Sequence, residues 1–529
     1  MHIPRWLTLS LIFAACTAGG YVLVRSARVD DDGKRPAKPA KAAAPATADF
    51  PAPVFHSGER PAAGLKADDE AAAAGAIPGQ RFIVFPDQSA LERFLAKLKG
   101  KGITVLGRLD GLHALRIGFF NAATLDGLLD GSEKSGLLFP VLVPDLPQGS
   151  VQAGAVGLGG GLLSWLGVAN YPRDTWGSGV MVAVLDTGIS GLAGFVNARQ
   201  VNLVDLPSDI STLNGHGTAV ASLILQIAPA ANVLSIRVAD DLGSSNSWLL
   251  AQGIVQAVDY GAQVINISMG SYGDSALVKN AVEYAHSRGA VVVAASGNEG
   301  LAQSAYPAAY DGVVAVGAVD ARGDHLLFSN SASNLSLVAP GYGVYATGTN
   351  GETLSFSGTS ASTPIAAGAL AASMSNDLTG TLSANDALGA MLSLLDESGA
   401  PGNDPQYGGG ALDLKRIVNR NTPGIVDAAV ASHWVEAGNG GQTLEVTVQN
   451  QGTAAIYNAE LQVNTPSGTT PISVSSLNPG QTRTYTVPVP ASGTDPMTFQ
   501  SSITLSGGQQ DANPANNRRA DVYTPSQRP

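Results

Sequence analysis

The sequence predicts an α/β protein whose middle is a doubly wound parallel sheet, with a small α+β unit before it and an all-β sandwich after it. Three patterns carry that expectation. Strand-length apolar runs over 180–185, 233–238, 264–267 and 290–295 alternate with helical stretches over 218–227 and 248–260, as βαβ units do. Residues 81–143 read in the order β-α-β-β-α-β. Residues 424–525 hold short alternating strands (444–448, 459–463, 482–487, 499–505) separated by Gly, Pro and Asn turns.

Taken in order, the chain opens with Arg5 and an apolar run from Trp6 to Val24. A charged start and an apolar core over 1–24 read as a signal peptide or a membrane or lipid anchor. Phe13-Ala14-Ala15-Cys16 is similar to a bacterial lipobox, in which Cys16 would be the lipidated first residue. Arg25 and Arg28 beyond the run blur any positive-inside orientation. Each version implies export, to the outside, the periplasm or the cell envelope. Residues 25–80 are rich in Ala, Pro and Lys without a period of 2 or 3.6, the composition of a linker.

In the unit over 81–148, Arg81-Phe82-Ile83-Val84-Phe85 predicts a strand, and Leu91, Phe94, Leu95 and Leu98 line one face of a helix over 90–100. Strands over 103–106 and 113–119, a helix over 122–129 and a last strand over 137–143 complete a ferredoxin-like order. His113, between Leu112 and Ala114, reads as structural. Gly157-Leu158-Gly159-Gly160-Gly161 follows no βαβ strand, so it reads as a flexible processing linker rather than a nucleotide loop.

Composition sets limits on function. The 529 residues include one Cys, which excludes an intramolecular disulfide framework and a thiolate zinc site. Residues 151–420 carry 9 Lys and Arg against 20 Asp and Glu. No segment has the basic footprint that nucleic-acid binding needs.

Parallel sheets gather function at the carboxyl ends of strands and the helix starts that follow. Four polar groups fall at such places. Asp186 closes a strand before Thr187-Gly188, and His216 opens a helix in Asn214-Gly215-His216-Gly217-Thr218. Asn298 follows a strand in Ser296-Gly297-Asn298-Glu299-Gly300, and Ser360 stands in Ser357-Gly358-Thr359-Ser360-Ala361-Ser362 ahead of a helix over 365–374. Singly each is a common turn residue; a second Asp-Thr-Gly or Asp-Ser-Gly, which an aspartic protease would need, is missing. Jointly, Asp then His then Ser is a nucleophilic constellation.

With the blocks Val264-Ile265-Asn266-Ile267-Ser268-Met269-Gly270, Tyr306-Pro307-Ala308, Phe328-Ser329-Asn330, Ala339-Pro340-Gly341 and Tyr407-Gly408-Gly409-Gly410, the segment over 155–420 resembles the catalytic domain of the subtilases. The resemblance implies a subtilisin-like doubly wound parallel sheet and a serine endopeptidase. Ser360 would be the nucleophile, His216 the base, Asp186 its orienter and Asn298 an oxyanion donor. It also implies a cleft edge at Ser268, Met269 and Gly270, and a pocket lined by Ala295 and Gly297 with Glu299 at its rim. Residues 81–148 then resemble the family's propeptide, an intramolecular chaperone and inhibitor. Cleavage is expected within 145–160.

Ala361 and Ser362 replace the usual Met or Leu and Ala after the nucleophile, and Ala219 stands where the family often has His. Only Leu225-Gln226-Ile227 separates Ile224 from Ala228, too little for the usual calcium loop. No cofactor and no metal are therefore assigned, although Asp240, Asp241 and Asp404 leave a hard cation open. Asn450-Gln451-Gly452-Thr453 and Leu477-Asn478-Pro479-Gly480 are similar to a CARDB-type adhesion module, which implies a cell-surface or substrate ligand, or else a passive stalk. Protein and peptide substrates, and the chain's own propeptide, are the partners this implies. The reading from another class is a silent subtilase-fold binding protein.

Overall fold

A computed structural model describes residues 16–17, 21–22, 69–143, 154–191, 194–195, 198–204, 214–375, 382–438, 441–490 and 496–523. Of the N-terminal signal or anchor only the paired strands Cys16–Thr17 and Tyr21–Val22 are described. Residues 25–68 of the expected linker, the end of the 81–148 unit and most of the 145–160 window lie outside the described residues; the rest of the expected linker is not one, since Asp69–Ala73 is a short helix and Ala71, Ala76 and Ile77 are buried. Among the described residues no helix is long and apolar enough to cross a membrane.

The first unit contains β1 (Gln80–Val84), α1 (Gln88–Lys97), β2 (Ile103–Leu109), β3 (Ala114–Phe119), α2 (Ala122–Asp126) and β4 (Lys134–Leu137). Asp87 caps α1 by accepting from the Ala90 N–H at 2.8 Å, and Asn121 caps α2 through Ala123. The sheet order β2-β3-β1-β4 is antiparallel throughout, the ferredoxin-like arrangement. Two expectations are corrected. His113 lies outside the strand, in a left-handed turn (φ 47°) that delivers the chain into β3. The single strand expected over 137–143 is broken at Leu138 and Phe139, and its second half, β5 (Pro140–Leu142), leaves the sheet for the next unit. Hydrophobic pattern alone could not separate the two halves, because Leu138 in the break and Val141 beyond it are both buried.

The central unit contains β6 (Met181–Asp186), β7 (Ala198–Asn202), α3 (His216–Ile227), β8 (Asn232–Arg237), β9 (Ser244–Asn246), α4 (Ser247–Asp259), β10 (Val264–Ile267), α5 (Ala276–Ser287), β11 (Val291–Ala295), β12 (Val314–Val319) and β13 (Leu337–Pro340). A hairpin of β14 (Val344–Thr347) and β15 (Thr353–Phe356) precedes α6 (Thr359–Ser375), α7 (Ala384–Leu392) and α8 (Leu414–Asn419). Seven strands form one parallel sheet in the order β13-β12-β11-β10-β6-β8-β7. Alternation divides each strand between two cores. Val182, Val184, Val291 and Val293 face α3 and α6, whereas Ala183, Leu185, Val292 and Ala294 face α4 and α5.

α6 is buried all round except at its last residue, so Ala, Ser and Gly fill it. At Gly368 an added Cβ would lie 3.1 Å from the Ile224 carbonyl, so the missing side chain lets α6 approach the backbone of α3. The helix begins at Thr359, earlier than the expected 365, and Pro364 is accommodated inside it. The Gly157–Gly161 stretch is not a loose linker either. The Leu158 and Gly159 N–H groups donate to the Tyr342 and Gly343 carbonyls at 2.9 and 2.8 Å, and Asp320 accepts from the Val156 N–H at 2.9 Å.

The last unit is two antiparallel sheets over a core of Val446, Leu461, Val474 and Phe499 among others. Strands β16 (Ala428–Gly438), β17 (Gly441–Asn450) and β20 (Thr482–Val489) form one; β18 (Ile456–Thr465), β19 (Gly468–Leu477), β21 (Met497–Leu505) and β22 (Arg518–Tyr523) form the other. It meets the central unit through Gln449, which accepts from the Glu397 N–H at 3.1 Å and donates to the Leu395 carbonyl at 3.0 Å.

Burial, with the nearby Asp404 charge added, raises the Glu397 carboxyl to about 7, although the Gly402 N–H it accepts pulls the other way. The folded chain therefore holds a proton that the unfolded chain releases near 4.5, and Glu397 loses stability as pH rises from that value towards 7. Glu397→Gln removes that loss. Thermal unfolding should place the variant above the parent at pH 8 and level with it at pH 4.

Candidate active site

Asp186 ends β6, next to the point where the strand order reverses, so its side chain leaves the sheet at the crevice where open α/β sheets place ligands. It is fully buried, and its Oδ1 accepts from the Thr187 N–H at 2.7 Å. The His216 Nδ1 lies 2.8 and 2.9 Å from the two Asp186 oxygens. An ionised carboxylate only accepts, so the proton of this bond belongs to Nδ1 and the lone pair of neutral His216 to Nε2.

Local sequence explains the approach. Gly215 takes a left-handed φ of 69° to begin α3, and Asn214 accepts from the His216 N–H at 3.2 Å. A Cβ on Gly217 would stand 2.5 Å from the Gly188 carbonyl and 3.1 Å from the Asp186 Cβ, so only glycine lets α3 start this close to the carboxylate. The Phe356 ring meets the imidazole edge-on at a centroid distance of 5.2 Å.

Ser360 is the second residue of α6. Pro364, four residues on, has no N–H, so the Ser360 carbonyl lacks its helical donor. The Ser268 hydroxyl supplies one at 3.2 Å, and the Ser360 hydroxyl in turn donates to the Ser268 carbonyl at 3.2 Å. This reciprocal pair ties the helix start to the end of β10.

Asn298, fully buried, follows β11. Its Oδ1 accepts from the Thr359 N–H at 2.8 Å and from the Thr359 hydroxyl at 2.9 Å. The carboxamide is therefore fixed with its Nδ2 turned the other way, close to Gly358, and that buried amide has no hydrogen-bond partner. A buried donor without a partner is one that a developing anion can satisfy.

Of the expected cleft residues, Ser268 is engaged with Ser360 as above, and Gly270 pairs through its backbone with Leu142, N–H to carbonyl both ways at 3.1 Å. Met269 turns its side chain into the core. Ala295 and Gly297 are buried at the end of β11 and just beyond. Glu299 is not a loose rim carboxylate. Its Oε2 accepts from the Asn298 N–H at 2.8 Å and from the Tyr272 hydroxyl. Burial and this bond to Glu299 hold the Tyr272 phenol well above its ordinary value.

Two residues that sequence reasoning did not single out complete the support. Asn330 accepts from the Glu299 and Leu301 N–H groups at 3.2 and 2.8 Å and donates to the Ser296 carbonyl and Tyr272 hydroxyl at 3.0 and 2.7 Å. Thr359 orients Asn298. Thr359 adjoins Ser360 in the sequence, which was its available signal; Asn330 had none of its own. Asp240, Asp241 and Asp404 are used locally. Asp240 and Asp404 accept from neighbouring backbone N–H groups, and Asp241 pairs with buried Arg237 at 2.7 Å. Among the described residues no group of three His, Cys, Asp or Glu is arranged to hold a metal ion.

The central unit is similar to known proteins. Residues 177–410 match the model of the subtilase family. Subtilisin Savinase of Lederbergia lenta is 41% identical over 214 residues, which is 38% of this chain and 79% of that protein. Subtilisin BL of the same organism is 42% identical over 216 residues, with the same coverage. The alkaline protease of Shouchella clausii is 41% identical over 214 residues, and there the match spans 56% of its length, little more than half. By its sheet, its site and these likenesses, the chain belongs to the subtilase family of serine peptidases.

Proposed function

We propose that the chain is an exported serine endopeptidase, made as a zymogen that removes its own N-terminal unit, with Asp186, His216, Ser360 and Asn298 as its catalytic residues. The observation that carries this reading is the Asp186–His216 pair at 2.8 Å, on the same edge of the parallel sheet as Ser360, tied to Ser268, and the buried Asn298 amide. β5 runs antiparallel to β9 on one side and to Gly270 on the other, and with rising residue number it advances from Gly270 towards Ser268 and Ser360. That is how a peptide substrate would lie.

The steps follow from the donors and acceptors. Ser360 Oγ attacks the scissile carbonyl, and its proton, shared with the Ser268 carbonyl at rest, passes to His216 Nε2. Asp186 holds the ring by Nδ1–H and stabilises the imidazolium. The oxyanion accepts from Asn298 Nδ2 and from the Ser360 N–H, which as a first-turn donor has no partner within the helix. Collapse breaks the C–N bond, and the leaving amine takes the proton from His216. Water then attacks the acyl-enzyme by the same route. The reaction as written uses no cofactor.

Substrate lies between β9 and Ser268-Met269-Gly270, and its P1 side chain enters past Ala295 and Gly297, with Glu299 tied back at the rim. Small residues there favour broad, hydrophobic-leaning cleavage. The N-terminal unit acts as inhibitor while β5 fills the cleft. The C-terminal sandwich serves as a ligand-binding module at the cell surface or for substrate.

Intact mass of residues 25–529, wild type beside Ser360→Ala, tests the zymogen. The wild type should shed the N-terminal unit, and the Ala variant should stay whole. Because Val156, Leu158 and Gly159 are hydrogen-bonded to the central unit, the first mature residue should fall early in the 145–160 window, before Gly154. A start beyond 160 would sink this reading. Asn298→Ala should lower kcat on a peptide substrate by about 10²–10³, the cost known for the same loss in a subtilisin, with KM little changed. An equal fall in kcat and rise in KM would place Asn298 outside the oxyanion contact.

A further inference from the structure

The cleft extends further from the nucleophile than the residues assigned above. Phe139, three residues before the one that pairs with Gly270, is held by a two-point backbone latch. Its N–H donates to the Ser247 hydroxyl at 3.0 Å, and its carbonyl accepts from the Ser247 N–H at 2.9 Å. Ser247 opens α4, where N–H groups have no partner within the helix, so a carbonyl arriving from outside satisfies a donor that the helix itself cannot. The Asn246 side chain already accepts from the next two, Trp248 and Leu249, at 3.0 Å each, which leaves Ser247 as the one turned to the incoming strand.

The ring of Phe139 lies flat against Gly273. A Cβ added to Gly273 would stand 2.2 and 2.3 Å from two of its carbons, and the three nearest atoms to that position all belong to the ring. Gly273 needs no left-handed φ, so its backbone does not require glycine. What the missing side chain provides is a notch that fits an aromatic face.

Resting on the peptidase reading, we propose that Ser247 and Gly273 form an extended subsite for an aromatic side chain, selecting peptides that carry Phe or a similar ring three residues before the residue that pairs with Gly270. The backbone latch fixes the register of the strand, and the Gly273 notch reads the side chain. Phe139 of the N-terminal unit occupies the subsite as a built-in example of the ligand class.

The test uses mature enzyme obtained from the full chain and two fluorogenic peptides copying residues 137–153, one native and one with Ala in place of Phe139. Casein hydrolysis is read in parallel. The native peptide should be cut with a kcat/KM about tenfold higher than its Ala counterpart, as a partly buried ring contact warrants. In Gly273→Ala enzyme the ratio should fall to about one, whatever the absolute rates. Equal cutting of the two peptides by the wild type overturns the subsite. So does a preference that survives Gly273→Ala, or casein hydrolysis with neither peptide cut. Failure to hydrolyse casein at all overturns the peptidase reading itself.

Discussion

The site depends on how the first turn of α6 is held. A helix start offers free N–H groups and the positive end of its dipole, which suits an oxyanion only if the turn cannot drift. Two buried links prevent that. Thr359 binds the Asn298 carboxamide by N–H and hydroxyl, joining the turn to the end of β11. Ser268 and Ser360 exchange hydroxyl and carbonyl bonds, joining it to the end of β10. The second link exists because Pro364 cannot donate to the Ser360 carbonyl. A residue that costs a helix about 3 kcal/mol in an interior turn here frees an acceptor that fixes the Ser360 turn to β10.

The same logic of close approach governs the other half. His216 sits against Asp186 because Gly217 has no side chain, and α3 lies against α6 because Gly368 has none. The helices bearing His216 and Ser360 are thus registered on each other through backbone contact, which allows less play than long side chains would. The rim is locked separately: Tyr272, Glu299 and Asn330 share hydrogen bonds around the loop that carries Asn298. A bond to Tyr272 and another to the Asn298 N–H spend much of the acceptor capacity of Glu299, so this carboxylate is committed to holding its own loop.

Much of this was legible in the sequence, for identifiable reasons. Strands β6 and β11 are near-continuous apolar runs, and β8 and β10 apolar runs interrupted at Ser235, Arg237 and Asn266, because both faces of a parallel sheet are covered. The edge strand Ala198–Asn202 was not legible, since Arg199, Gln200 and Asn202 interrupt any apolar pattern at a half-covered edge. The start of α6 was misplaced because Pro364 reads locally as a boundary, and only the tertiary donor from Ser268 makes helix before it tolerable. Asn330 carried no chemical signature of its own. Its role is to satisfy the backbone groups of another loop, which pattern and spacing do not encode.

The split of the expected 137–143 strand bears on how the zymogen would behave. Up to Leu137 the chain belongs to the four-stranded sheet; from Pro140 it is paired with β9 and Gly270. Beyond the undescribed stretch, Val156 to Gly159 are bonded to Asp320 and to Tyr342 and Gly343. The two ends of any cut between them are therefore secured by contacts that do not depend on the bond being cut. Cleavage alone would leave the cleft filled, with the inhibitor converted from a tethered segment, at an effective concentration of order mM, into a separate partner held by its own interface. Release then turns on that interface. Gly107 lies over buried Trp248 and Phe139 over Gly273, so the contacts that fold the chain together are the ones that must be lost before it can act on anything else.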